Sequence, residues 1–126
     1  AKALGLPARI EGICDDKVGG LLDKIRALTA ATAEYLGLSL SFAEDDFVLH
    51  ETYGAPGYAV ITDAEREAVR LLACTEGIIA DPVYNGRAMA GLIDLVRRGV
   101  YGPDETILFW HTGGIAGLFA RASEML

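Results

Sequence analysis

At 126 residues, 52% of them apolar and 23% charged, the chain is long enough for a domain with its own core and too apolar to be disordered. Its formal net charge of −7 argues against a nucleic-acid backbone or an anionic membrane surface as partner. No apolar stretch approaches the ~18 residues of a membrane span, and the start of the chain lacks the shape of a signal peptide.

The first stretch, "AKALGLP", reads as the last turn of a helix, with Gly5 after its end and Pro7 as a stop. It begins with Ala rather than Met, so the chain is expected to be a piece of a longer protein. "ARIEGIC" (8–14) reads as a strand, and "DDKVGG" (15–20) as a turn. "LLDKIRALTAATAEYLGL" carries Leu21, Leu22, Ile25, Leu28, Thr29, Thr32 and Leu36 at helical spacing, and Gly37 ends it. Residues 47–49 could form a short strand behind the acidic run Glu44 to Asp46, and "YGAPGYA" is a glycine-proline loop holding Tyr53 and Tyr58 at its edges. Thr62 with Glu65 three residues on is a capping box, and it predicts a helix with Ala68, Val69, Leu71, Leu72 and Ala73 inward, ending near Gly77.

"GIIADPV" (77–83) reads as a short buried strand or extended run. "GRAMAGLIDLVRRG" reads as a helix with Met89, Leu92, Ile93 and Val96 inward and Gly99 as stop. "TILFW" (106–110) is nearly all apolar, as in a parallel strand covered on both faces. "HTGG" then leads into a final helix, "IAGLFARASEML". Alternation of this kind predicts an α/β fold: a three-layer, open, mainly parallel sheet with helices on both faces. Cys14 and Cys74, far apart and in no CxxC pattern, read as buried free thiols of a reducing compartment.

Ligands of open α/β sheets sit beyond the carboxyl ends of the strands. Two segments stand there: Val83-Tyr84-Asn85-Gly86 and His111-Thr112-Gly113-Gly114. Each is expected to offer free backbone N–H groups at the positive end of a helix. Taken singly, these residues have plainer readings. Asn85 is by default a helix N-cap, Tyr84 a half-buried aromatic, His111 a structural histidine and Gly-Gly a tight turn. No set of His and carboxylates has metal-ligand spacing, and no Ser-His-Asp pattern, GxGxxG or P-loop is present.

Together, "APGYA", "TDAEREAVRLLACTEGIIADPVYNGRAMAGLIDLVRRG" and "ILFWHTGGIAGLFA" resemble the C-terminal part of the D-cysteine desulfhydrase and 1-aminocyclopropane-1-carboxylate (ACC) deaminase family. These are pyridoxal 5'-phosphate enzymes of fold type II, the tryptophan-synthase-β-like group. The resemblance implies that residues 1–126 are a single α/β segment of such an enzyme. It implies catalytic roles for Tyr84 and Tyr58, and cofactor contacts from Asn85, Thr112 and Gly113, with Asn85 near the pyridine nitrogen. It implies lyase or hydrolase chemistry on a small amino acid, in a cytoplasmic homo-oligomer, without nucleic acid or membrane as partner.

Two departures from the family pattern stand out. The Schiff-base lysine and the phosphate loop belong to the preceding part of the family chain; Lys2, Lys17 and Lys24 match no such motif. Alone, the chain is therefore expected neither to hold the cofactor well nor to catalyse, and the remaining N-terminal part of the enzyme is expected as its partner. Position 85 is Glu in the deaminases and usually Thr in the desulfhydrases. The neutral Asn85 points away from a protonated ring nitrogen, and so from the deaminase towards β-elimination giving pyruvate, ammonia and sulfide. Two other readings compete: a free-standing, non-catalytic remnant that dimerises, and a small Rossmann-like domain binding an anion at the two helix mouths.

Overall fold

The computed structural model describes residues 1–17 and 19–126, which fall into two compact units. The first comprises 1–12 and 19–50, the second 13–17 and 51–126. The expected turn at 15–20 includes Val18, which lies outside the described residues; Gly19 and Gly20 form a turn.

In the first unit, a 3-10 turn at Lys2–Leu4 precedes β1 (Glu11–Ile13), whose last residue opens the second unit. Helix α1 (Leu21–Tyr35) and strand β2 (Val48–His50) follow, and β1 and β2 form a two-stranded sheet. The apolar spacing of α1 is as expected, but Ala33 alone is fully buried and Leu28 and Leu36 are exposed. The acidic run Glu44–Asp46 is a 3-10 turn. The Asp46 carboxylate accepts from the Ala43 N–H at 2.7 Å and pairs with the Lys2 ammonium, which holds its carboxyl below the ordinary aspartate range.

The second unit is built on α2 (Asp63–Glu76) and α3 (Asn85–Arg97), which pack together. Helix α2 starts where the capping box places it. Thr62 Oγ1 accepts from the Ala64 N–H at 3.3 Å, and Glu65 Oε2 accepts from the Thr62 N–H at 2.7 Å. Ile61, Val69, Leu72, Ala80 and Met125 form the core, with Met89 and Leu118 packed on it.

Several expectations are corrected here. The buried face of α3 carries Arg87, Gly91 and Leu95, while Val96 is exposed and Met89, Leu92 and Ile93 are half-buried. The helix is rotated because Gly91 admits Ile13: a Cβ at 91 would lie 3.0 Å from two of its carbons. Of the two readings of 77–83 the strand is not formed, and 106–110 forms none, because neither has a neighbouring strand to pair with among the described residues. Leu108 (82% exposed) and Trp110 (78%) are therefore open where a doubly covered strand was expected. The final helix stops early: α4 is Ile115–Ala120, followed by a 3-10 turn at Ala122–Glu124. Cys14 is buried, and burial with the charges of Glu51 and Asp15 raises its thiol above the ordinary range. Cys74 is exposed, because it lies off the face of α2 defined by Glu65, Ala68, Val69 and Leu72. No helix among the described residues is long and apolar enough to cross a membrane.

Candidate functional site

The mouth of α3 is organised by a residue that sequence reasoning missed. Asp81 is buried, and Pro82 follows it. Its Oδ2 accepts from the N–H groups of Val83 (3.0 Å) and Tyr84 (2.7 Å), and its Oδ1 from the Asn85 N–H (3.0 Å). Its carbonyl accepts from the Gly86 N–H at 2.7 Å. Asn85 is thus the first residue of α3 rather than its cap: Tyr84 holds the N-cap position, and the Asp81 side chain caps the turn before it. An Asp with Pro at the next position is a helix-start signal in its own right, and it could have been read. The Asp81 carboxylate thus takes the N–H groups of the turn leading into α3 and the first N–H of α3 itself, and the Asp81 carbonyl takes the second. The expected anion site at this mouth is closed, and a phosphate there would face a negative charge.

Asn85 is also buried, and its amide is fully engaged. Nδ2 donates to Asp81 Oδ1 at 2.6 Å and to the Gly113 carbonyl at 2.6 Å. Oδ1 accepts from the Thr112 N–H at 3.0 Å and from the Thr112 hydroxyl at 3.4 Å. An amide has two donors and one acceptor oxygen. Its donors and its acceptor oxygen all have partners within this chain. Asn85 ties the 111–114 turn to the start of α3. Gly114 is required by the same arrangement. Its φ is 90°, and a Cβ there would come within 2.9 Å of Asp81 Oδ1. Gly113, by contrast, has no atom within 4 Å of where a Cβ would stand. His111 braces the same turn. Its Nδ1 accepts from the Gly113 N–H at 3.1 Å, which leaves Nε2–H to donate to the Ile79 carbonyl at 3.3 Å.

The two candidate phenols meet. The Tyr58 and Tyr84 hydroxyls are hydrogen-bonded, and their rings lie 6.1 Å apart, tilted by 56°. Both are about half exposed, Tyr58 at 54% and Tyr84 at 50%. The bond to Tyr58 raises the Tyr84 phenol above ordinary tyrosine, and desolvation and the negative charges of Asp15 and Asp81 add to the shift. Tyr84 is therefore a protonated hydroxyl at neutral pH. Tyr53 sits elsewhere, donating to Asp94 Oδ2 of α3 at 2.5 Å.

The candidate residues thus fall into two touching groups, Tyr58–Tyr84 and Asn85–Thr112–Gly113, joined because Tyr84 and Asn85 are adjacent in the chain. Thr112, Gly113 and the two phenols are exposed, and Asn85 lies beneath. The open space above Gly113 and the phenols suit the flat face of an aromatic cofactor. The α3 mouth is filled by Asp81, and among the described residues no lysine ammonium bonds to Tyr58, Tyr84, Asn85 or Thr112. No cluster of three or more metal-ligating side chains occurs among the described residues.

Comparison with known proteins gives consistent matches. Residues 9–113 match the family model described as pyridoxal-phosphate dependent enzyme. The chain is 50% identical over 97 residues to the D-cysteine desulfhydrases of Salmonella newport and Salmonella heidelberg, a match covering 77% of this chain and 29% of each relative. Among solved structures, an ACC deaminase homologue superposes with a TM-score of 0.83 at 36% identity, over 97% of this chain and 36% of that one. The α/β fold class follows from that superposition, although much of the expected sheet is unpaired within the described residues. The chain spans less than a third of the curated relatives it matches. Desulfhydration is an elimination, so the hydrolase class expected beside the lyase class is withdrawn.

Proposed function

The chain belongs to the pyridoxal-phosphate dependent enzyme family, in its D-cysteine desulfhydrase and ACC deaminase branch, and from that premise we propose that it forms one wall of the active site of a desulfhydrase-type lyase. The substrate class is a small amino acid with a thiol leaving group, most like D-cysteine, and the products are pyruvate, ammonia and sulfide. The observation that carries this reading is the Tyr58–Tyr84 pair, held beside the open Thr112-Gly113 turn.

Pyridoxal phosphate supplies the electron sink that makes a bond to Cα of an amino acid labile. Everything else falls to side chains. Tyr84, kept protonated by Tyr58, holds a proton at its Oη for the sulfur that leaves the β-carbon. Once Tyr84 has given its proton to the sulfur, Tyr58 resupplies one to its Oη through the shared hydrogen bond. Thr112 and Gly113 line the ring face, and Asn85 acts on the ring through the turn it fixes. The Schiff-base lysine and the phosphate loop are supplied by the rest of the enzyme. The exposed Leu108, Trp110 and Phe119 give that part, or a second subunit, a surface to cover.

The test uses the complete enzyme with pyridoxal phosphate, offered D-cysteine, L-cysteine and ACC. Pyruvate and sulfide from D-cysteine are expected. Turnover of ACC alone would replace the desulfhydrase reading with the deaminase one. A covalent-cofactor absorbance band in the 126-residue chain by itself would refute the division of the site between two parts.

A further inference from the structure

Taking the phenol pair as the working groups proposed above, we infer that Arg87 and Arg121 are positioning residues that set Tyr58 against Tyr84. Arg87 lies one turn beyond Tyr84 on α3 and is fully buried. Its Nε donates to Glu65 Oε1 at 2.9 Å. Its Nη1 donates to the carbonyls of Asp15 (2.6 Å) and Gly57 (2.9 Å), and its Nη2 to the carbonyl of Val60. Carbonyls on both sides of Tyr58 are therefore gripped by one guanidinium.

The backbone between them is held too. The Tyr58 N–H donates to Asp16 Oδ1 at 3.1 Å, and the Ala59 carbonyl accepts from Arg121 Nη1 at 2.9 Å. Ala59 has φ 58°, the one non-glycine residue in the left-handed region among the described residues. Such a conformation persists where its surroundings over-determine it, and it concentrates at working sites. Each residue from 57 to 60 thus has one backbone group held by a hydrogen bond, and the side chain they present is that of Tyr58.

Glu65 completes the device. Its Oε2 is fixed by the Thr62 N–H and hydroxyl at the start of α2, while Oε1 orients Arg87. A guanidinium, planar and with five donors, can serve a carboxylate and three carbonyls at once; an ammonium cannot. The helix that follows directly on one phenol thus carries the group that places the other.

The experiment follows Tyr84 by NMR of 13C-tyrosine-labelled full chain through a pH titration, with its signal assigned by Tyr84→Phe. Tyr58→Phe sets the reference: the Tyr84 midpoint falls once its partner hydroxyl is gone. Arg87→Lys and Arg121→Gln are expected to lower the Tyr84 midpoint towards that reference while the helical circular dichroism persists. Ala59→Gly added to Arg121→Gln is expected to restore the wild-type midpoint, because glycine takes φ 58° unaided. Should Arg87→Lys not fold, Arg121→Gln decides, its side chain being 32% exposed. Wild-type midpoints in the folded arginine variants would overturn the inference, as would an unmoved midpoint in Tyr58→Phe. These readouts need no cofactor. Undiminished elimination by the complete enzyme carrying Tyr84→Phe would instead sink the functional reading and leave the positioning result standing.

Discussion

Replacing Asp81 with Ala removes the acceptor for four donors at once: the N–H groups of Val83, Tyr84 and Asn85, and Asn85 Nδ2. Loss of a capping side chain costs about 1 kcal/mol. Leaving a buried amide N–H unsatisfied adds roughly 1–3 kcal/mol. Because the donors share one carboxylate, their terms do not add fully, and the expected loss is about 3 kcal/mol. That corresponds to a fall in melting temperature on the order of 10 °C for a domain of this size. Asp81→Asn keeps the shape but turns an NH2 towards one of the two donor pairs, so it should lose nearly as much. The assay is urea unfolding followed by circular dichroism, with Asp104→Ala, an exposed change, as a control expected to stay within about 0.5 kcal/mol. A double-mutant cycle with Asn85→Ala should show coupling of about 1 kcal/mol or more, since the two side chains touch at 2.6 Å. If Asp81→Ala and Asp81→Asn each cost less than about 1 kcal/mol, or the cycle shows no coupling, Asp81 is not the hub of this mouth.

Gly114→Ala should destabilise by about 1–3 kcal/mol, since it both strains φ 90° and crowds Asp81 Oδ1, and the same urea series checks it. Burial alone would raise the Glu65 carboxyl. Its bonds from the Thr62 hydroxyl, the Thr62 N–H and Arg87 outweigh burial and leave it below ordinary glutamate. The sign follows: its contribution is fully present above the unfolded value of about 4.3 and is lost as pH falls through the folded one. Stability of Glu65→Gln should therefore fall less steeply than wild type between neutral pH and that acid window, and parallel curves would count against the assignment. In the complete enzyme, Tyr84→Phe should cut kcat by roughly a hundredfold or more while leaving unfolding within about 0.5 kcal/mol, as expected for a half-exposed phenol that works on a proton. Equal losses in activity and stability would make it a packing residue.

Helix α2 was legible because all its signals are local: a Thr62–Glu65 box at one end and Gly77, with φ 68°, at the other. Neither 77–83, read as a strand or an extended run, nor 106–110, read as a strand, forms a strand, for the complementary reason. An apolar run identifies a segment that wants cover, but a strand needs a partner ladder, and neither segment has one among the described residues. The pairing of Tyr58 with Tyr84 came into view only through resemblance, since 26 residues separate them. Arg87 was the least legible of all. Periodicity assigns an arginine to the wet face of a helix, and here it occupies the dry one because Glu65, 22 residues earlier, meets it there.

The first turn of α3 shows why these residues belong together. Tyr84 already has right-handed helical angles, φ −92° and ψ −66°, so it shares the phase of the helix it precedes. Successive residues of an α-helix point roughly 100° apart, so Asn85 projects about 100° to one side of Tyr84 and Arg87 about 60° to the other. On the first side, Asn85 holds the turn that presents Thr112 and Gly113. On the second, Arg87 holds the loop that presents Tyr58. A single helical turn, fixed at its start by Asp81, thus sets two loops that are distant in sequence on either flank of one exposed phenol. Loosening either anchor should displace its own loop and leave the other in place. Asn85→Ala should therefore disturb Thr112 without changing the Tyr84 titration, and Arg121→Gln the reverse; loss of both loops from either single change would show that the flanks are not independent.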